Sequence, residues 1–445
     1  MKIRGFGSFT AFLVSLLLVL NFFSCSQANP AGSNSGSKNS VKKLMVWHWM
    51  TDREDVFLQL AKKYESQTGI KVVFELYAPS DAYSQRVRAA AQAQNLPDIF
   101  GILADKRDFA SFIKAGHVAN LTEEMEKDNS AWKNSIFAKA LAVNEFLPKN
   151  EFSVEPGIYG APIDVMNILM LYNKSAFKKA GIDPNNAPKT WQEFIDGTKK
   201  LKAIGYEGLA SGWAEVWMIH CFATDYAFNI MGQDKVFNTI RGKVPYTDPD
   251  WVQVFKLFKQ LSDEGVLANG IVSMINKTAE QAFANERAAF AFNGSWCVNV
   301  YKGMNPKLDY GIMLPPKVSD KYPVSIWGGA GTSFMINDRS LFKDEAIKFL
   351  KWLTEPEQQT YLSKETNNLP SNKNCISDIP PLLADFVKYM DETTHPNIWP
   401  VTEYPAVIEK MDKGIQSIII GEITPEQLSR EVQEVKEQEM RKDKK

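Results

Sequence analysis

From Lys43 onward the chain alternates apolar, β-branched and aromatic runs with helix-period runs: LMVWHW, a helical stretch from Thr51, IKVVFELY, a second helical stretch from Asp81 to Gln94, and PDIF at 97–100. That order commits the segment to an α/β architecture, because parallel strands need a crossover and a helix supplies it. The first helix is the best marked. Thr51 and Glu54 have capping-box spacing, Val56, Phe57, Leu60, Ala61 and Tyr64 recur on one face, and Gly69 gives a stop. The same start signal returns at Thr190 to Glu193, Thr354 to Glu357 and Thr424 to Gln427, so the second half is rich in helix. A length of 445 residues is too great for one ordinary domain. No Pro-rich linker divides the body, so two α/β lobes either touch closely or exchange the chain more than once.

The first forty residues have a different character. Lys2 and Arg4 precede an almost uncharged apolar run from Phe9 to Phe23, the pattern of a secretory signal and too short to span a bilayer comfortably. The run ends in Phe22-Phe23-Ser24-Cys25, which resembles a bacterial lipobox with Phe22 where Leu is usual. Residues 1–25 are therefore expected to be a lipoprotein signal with Cys25 lipidated, the other reading being a plain signal peptide cut nearby. Residues 26–40, SQANPAGSNSGSKNS, read as a flexible linker with an end-to-end distance of roughly 20 Å. The folded body begins near Val41.

Composition removes several classes of function. With 51 basic and 52 acidic side chains and a net charge of -1, the chain has no field for gathering nucleic acid. The four Cys, at 25, 221, 297 and 375, form no C-x-x-C pair, and the four His, at 48, 117, 220 and 395, form no HExxH. No metal or other cofactor is expected. Cys221 and Cys297 sit in apolar neighbourhoods and read as buried thiols, a bridge between them being open in an oxidising compartment. There is no G-x-S-x-G elbow and no Walker phosphate loop. GGAG at 328–331 reads as a tight turn between strands, and EVQEVKEQEMRKDKK at the end as a solvated helix or disorder.

Aromatic residues point further. Many of the 11 Trp stand beside Gly or polar residues: Trp47 and Trp49 around His48, Trp213 in SGWAEVW, Trp296 in FNGSW, Trp327 in SIWGGAG and Trp399 in HPNIWP. Core burial is the common fate of a single Trp. A group of them beside turn residues suits a sugar, whose ring offers an apolar C–H face for stacking and a rim of hydroxyls for carboxylates. Asp52, Asp105, Asp164 and Glu215 are the acids nearest those loops, each equally readable as a cap or a solvated side chain.

The chain also resembles the bacterial extracellular solute-binding proteins of carbohydrate-uptake transporters, the family that includes maltose-binding protein. The resemblance runs from Lys43 to about Glu431. It rests on LMVWHWMTDRED followed by YESQTGIKVVFE, PDIF, GIYGAPIDVMNILMLYNKSAFKKAGID followed by TWQEF, AFANERAAFAFNGSW, WGGAGTSFMIND followed by EAIKFLKWLTEPEQQ, and GEITPEQL, in that order. It implies a two-lobe periplasmic-binding-protein fold of type II, with a hinge of several crossings and one ligand in the interlobe cleft. By similarity, lobe 1 takes 41–161 and 307–337, and lobe 2 takes 162–306 and 338–445. The implied cleft contacts are His48, Trp49 and Asp52 after the first strand, Asp105 and Lys106 after PDIF, and Asp164 past the YGAP crossing. Lobe 2 adds Trp213 and Trp296, the Gly-Gly loop adds Trp327, Gly328 and Gly329, and the C-terminal region adds Trp399. Trp213 and Trp217 stand for one role between them.

The function so implied is the substrate-binding component of an ABC transporter. By that resemblance it is expected to be a monomer without enzymatic activity, tethered outside the cytoplasm by its lipid, that delivers a carbohydrate to membrane permease subunits. Two rivals remain at this stage. A glycoside hydrolase would use an acid pair such as Asp105 and Asp164 set about 5 to 9.5 Å apart. A binding protein for a charged solute, such as a glycerol phosphodiester, would need cations at the cleft, where Arg53, Lys106 and Arg107 are the main ones on offer.

Overall fold

The computed structural model describes residues 43–78, 80–103, 106–394 and 402–443, all within one compact unit, Val41–Lys445. Its strands are β1 (Lys43–His48), β2 (Lys71–Leu76), β3 (Ile99–Gly101), β4 (Glu145–Phe146), β5 (Gly157–Ile158), β6 (Ala161–Pro162), β7 (Asp164–Asn173) and β8 (Glu207–Ala210), followed by β9 (Ala288–Gly294), β10 (Tyr310–Met313), β11 (Ile326–Ala330), β12 (Ser333–Ile336), β13 (Leu369–Pro370) and β14 (Thr393–Thr394). They build a five-stranded sheet in the order β2-β1-β3-β12-β6, a larger one in the order β14-β11-β7-β9-β8 with β10 and β13 also on β7, and the small β4-β5 pair. β1, β2 and β3 are parallel, as the alternation from Lys43 requires. The spine of the larger sheet is β7, buried at every position except Met166, which explains its unbroken apolar reading.

Helix Glu54–Thr68 buries Phe57, Leu60, Ala61 and Tyr64 and stops at Gly69, whose φ of 72° is left-handed. It starts later than the Thr51 signal suggests. Thr51–Arg53 wind as a 3₁₀ turn without a side-chain cap, and the Arg53 guanidinium is drawn to Asp164 instead. The Thr190–Glu193 box forms in both directions, and Thr424 accepts the Gln427 N–H at 3.1 Å. Thr354 opens no helix. It closes helix Lys343–Leu353, and its hydroxyl accepts the Trp132 indole N–H at 2.8 Å. The charged C-terminal segment is neither loose nor wholly solvated: helix Pro425–Lys442 buries Leu428, Val432 and Lys436, and Lys436 Nζ pairs with Glu403 at 2.6 Å.

Two adjacent strand-to-strand passages carry the chain between the large sheets, from β6 to β7 and from β11 to β12. They are hydrogen-bonded to each other, Ile163 N–H to Thr332 O at 2.9 Å and Gly331 N–H to Asp164 O at 3.2 Å. Sheet membership cuts across the lobe limits that the resemblance implies. Within 307–337, β10 and β11 bond to β7 in the larger sheet and only β12 joins the smaller one. Helices Lys343–Leu353 and Pro356–Thr366, grouped by resemblance with lobe 2, pack on helix Glu54–Thr68, Tyr64 meeting Phe349 and Trp352 at ring distances of 5.0 Å and Lys63 pairing with Glu357 at 2.7 Å. The cause is the short link after β12, which returns the chain to the sheet it has just entered. Cys221, Cys297 and Cys375 are free, buried thiols.

Candidate functional site at the carboxyl edges of the two sheets

Strand direction fixes where a ligand crevice can lie. β1 and β3 end at one edge of the smaller sheet, and antiparallel β12 begins there, Gly101 facing Phe334. In the larger sheet, parallel β8 and β9 end where β7 begins, Gly294 facing Ile168, and β11 ends beside Val165. Both carboxyl edges therefore adjoin the paired crossings at 163–164 and 331–332. In open α/β sheets the binding crevice lies outside such edges, where connections diverge.

Each edge carries an indole seated on a strand-end glycine. Trp49, just past β1, lies over Gly101, where an added Cβ would come within 2.4 Å of the ring, and it packs on Tyr83 at 5.0 Å. Tyr83 is itself fixed, its hydroxyl accepting the Gly101 N–H at 2.8 Å, and burial pushes its ionisation above the usual tyrosine range. Trp296, two residues past β9, lies over Gly294, where an added Cβ would come within 1.9 Å of the ring. Beside it stands Trp217, 42% exposed, its ring 6.0 Å from Trp296 at an interplanar angle of 49°. Small strand-end residues are what let both rings lie flat on backbone.

The other expected contacts divide. Alternation along β1 turns His48 away from Trp47 and Trp49, into the core between Phe57 and Phe74 at 5.1 and 5.8 Å. Trp213 is wholly buried, packed on Phe222 and Phe258 at 5.4 and 5.7 Å, so Trp217 is the exposed indole of that loop. Trp327 is nearly buried. Its indole N–H donates to the Thr224 hydroxyl, and His220, whose Nδ1 is 3.1 Å from Asp412, meets it edge-on at 5.5 Å. Gly328 and Gly329 belong to β11 rather than to a turn, and an added Cβ at Gly328 would meet Thr393 Cγ2 at 2.5 Å and Met166 O at 2.8 Å. Asp105, Trp399, Cys25 and the Asp52 side chain lie outside what the structure describes.

Asp164 and Lys106 are both turned to internal work. The Asp164 carboxylate, 2% exposed, pairs with Arg53 and accepts the Thr332 N–H, which ties the two crossings to the start of helix Glu54–Thr68. Lys106 Nζ donates to the carbonyls of Val143 at 2.6 Å and Glu145 at 2.8 Å, with the Phe146 ring 4.1 Å away. Burial lowers its pKa to about 7, and Glu145 opposes the fall. An unfolded chain, holding the Lys106 proton up to about 10.5, binds it more tightly than the native one. Stability should therefore rise between about pH 7 and pH 10.5, by at most about 1.4 kcal/mol per pH unit from this group. Urea unfolding at pH 7.0 and 9.5 checks this: the gain should be smaller in Lys106→Met, and an equal gain in both proteins would refute it.

Sequence reasoning missed Tyr83 as the support beneath Trp49, because one tyrosine in an ordinary helix carries no local signal. Among the described residues no group of His, Cys, Asp and Glu could hold a metal ion, and no helix is long and apolar enough to cross a membrane.

Two α/β sheets joined by paired crossings, with aromatic faces set at their carboxyl edges, define a two-lobe binding protein. The chain belongs to the bacterial extracellular solute-binding protein family, whose pattern matches residues 59–387. It is 25% identical over 328 residues to the multiple sugar-binding protein of Streptococcus mutans serotype c, covering 72% of this chain and 73% of that one. It is 26% identical over 216 residues to the sn-glycerol-3-phosphate-binding periplasmic protein UgpB of Escherichia coli (strain K12), a match spanning 48% of each chain and thus about half the length of that relative. Among solved structures, a chitin oligosaccharide binding protein superposes with a TM-score of 0.71 at 24% identity, over 89% of this chain and 98% of that one. RafE in complex with raffinose gives 0.70 at 16%, over 88% and 97%. These structures share the fold.

Proposed function

We propose that this protein is the extracytoplasmic substrate-binding component of an ABC importer, and that it captures a neutral sugar or oligosaccharide at the carboxyl edges of its two sheets and releases it unchanged to a permease. The observation that carries the reading is the pair of indoles, Trp49 and Trp296, each laid on a strand-end glycine at one of the two edges. Sugar-binding relatives support the ligand class. Charge supports it too, since an anionic solute would need free cations. Arg53 is committed to Asp164 and Lys106 to backbone carbonyls, which leaves Arg107, in reach of Thr402 at 3.4 Å. The same commitment of Asp164 argues against a role as a hydrolytic acid or base.

The lobes in this reading are the bodies built on the two large sheets, and the crossings at 163–164 and 331–332 are hinge strands. A ligand that contacts both bodies favours the closed arrangement by its differential affinity. Micromolar affinity corresponds to about 8 kcal/mol net. The reading includes lipidation of Cys25 as the membrane tether, and Cys25→Ser should move the protein from the membrane to the soluble fraction on cell fractionation.

Thermal denaturation against maltotriose, raffinose, xylo- and chito-oligosaccharides and sn-glycerol 3-phosphate tests the proposal. A bound ligand at a hundredfold its Kd stabilises the native state by about 2.7 kcal/mol. A saturable shift with an oligosaccharide that is recovered intact is the expected result. Sustained product release, or a shift with the phosphate alone, would overturn it.

A further inference from the structure

Behind the Trp296 end of the larger sheet lies a buried acid. Glu280, on helix Asn276–Ala284, is 7% exposed, and its Oε1 accepts Nδ2–H from Asn276 at 3.0 Å and from Asn293 at 3.1 Å. The Trp296 side chain also acts on this carboxylate, drawing its pKa down. Asn293 is the strand residue just before Gly294, so the acid lies under the segment on which the Trp296 ring rests. The network continues to Trp217. The Asn276 N–H donates to Glu215 Oε1 at 2.8 Å, two residues before Trp217, and an added Cβ at Gly212 would meet Asn276 Cα at 2.6 Å. Asn276 thus seats the loop that leads into Trp217.

A carboxylate at this depth whose bonded partners are neutral donors is an expensive way to fill space. Desolvation raises its pKa, and the hydrogen bonds from Asn293, Trp296 and Asn276 act against that rise. What a carboxylate supplies here, and an apolar residue does not, is a common acceptor that ties a helix to the strand end beneath the indole.

We infer that Glu280 is a positioning residue for ligand binding: it fixes the Trp296 indole on Gly294 and, through Asn276 and Glu215, sets Trp217 beside it. The inference rests on the reading of this edge as the sugar site. It differs from that reading because Glu280 acts on the indoles whether or not a ligand is present.

The test uses the full chain with 15N-indole-labelled tryptophan, each signal assigned by Trp→Phe replacement. Glu280→Gln should shift the Trp296 and Trp217 N–H resonances and leave those of Trp132, Trp191 and Trp251 in place. Unmoved Trp296 and Trp217 signals in a folded Glu280→Gln protein would overturn the inference. Should that variant not fold, Glu280→Asp, which shortens the acid and withdraws it from its donors, reads the same resonances with the same two outcomes. Affinity for the panel oligosaccharide giving the largest thermal shift should fall about tenfold in Glu280→Gln, the worth of one hydrogen bond to a charged group. It should fall no further when Glu280→Gln is added to Trp296→Ala, whereas an additive loss would show Glu280 acting independently of the indole and reject a positioning role. If Trp296→Ala binds like the wild type while the resonance shifts appear, the sugar-site reading fails and the positioning of the indole stands.

Discussion

Alanine at Trp296 should weaken binding of the stabilising oligosaccharide by at least about thirtyfold, close to 2 kcal/mol, as expected for truncation of an aromatic anchor. The indole is partly exposed, packs at the margin of its hydrophobic cluster, and takes its place from Gly294 beneath it rather than from a surrounding core. Its removal therefore takes away a stacking face at small cost to the fold. Titration calorimetry with a parallel melting curve checks both halves of the expectation. Trp213→Ala is the matched control. That ring is fully buried, so its loss should cost about 3–5 kcal/mol of stability and leave the affinity of the protein that remains folded unchanged. Wild-type affinity in Trp296→Ala would remove this edge from the site.

The contrast between these two tryptophans shows which parts of the molecule are legible in the chain. Strand-helix alternation, the capped start at Thr190 and the stop at Gly69 are local features, and each appears in the fold because neighbours in sequence suffice to make it. The side-chain roles are not local. Trp213 and Trp217 lie four residues apart in one loop-to-helix segment, and only the packing of Phe222 and Phe258 decides that the first is core and the second exposed. Asp164 and Lys106 have the composition of ligand contacts, yet their partners are Arg53 in one case and the carbonyls of Val143 and Glu145 in the other. Thr51 shows the same limit at a helix start. Its capping-box spacing is sound, but the next residue but one, Arg53, is drawn to a carboxylate 111 positions away, and the helix begins after it.

That long-range pair makes Asp164→Ala a substitution whose effect on stability should match the loss of a buried tryptophan. Both side chains are nearly excluded from water, at 9% and 3% exposure, so removing the carboxylate takes a counter-charge from a buried guanidinium, at a cost of about 3–5 kcal/mol. The Thr332 N–H loses its acceptor at the same time, loosening the bond between the two crossings. Asp164→Asn separates the contributions, because its amide oxygen still receives Thr332 while the charge is gone. It should lie between the wild type and Asp164→Ala in urea unfolding. Removing both charges at once, in Arg53→Met with Asp164→Leu, should recover much of the loss, since an apolar pair of similar volume often matches a buried ion pair. If Asp164→Ala unfolds within about 1 kcal/mol of the wild type, the pair contributes little, and the hinge must be held by backbone bonds alone. A loss of the expected size means that the start of the first helix and the two crossings are energetically coupled through the Arg53–Asp164 pair.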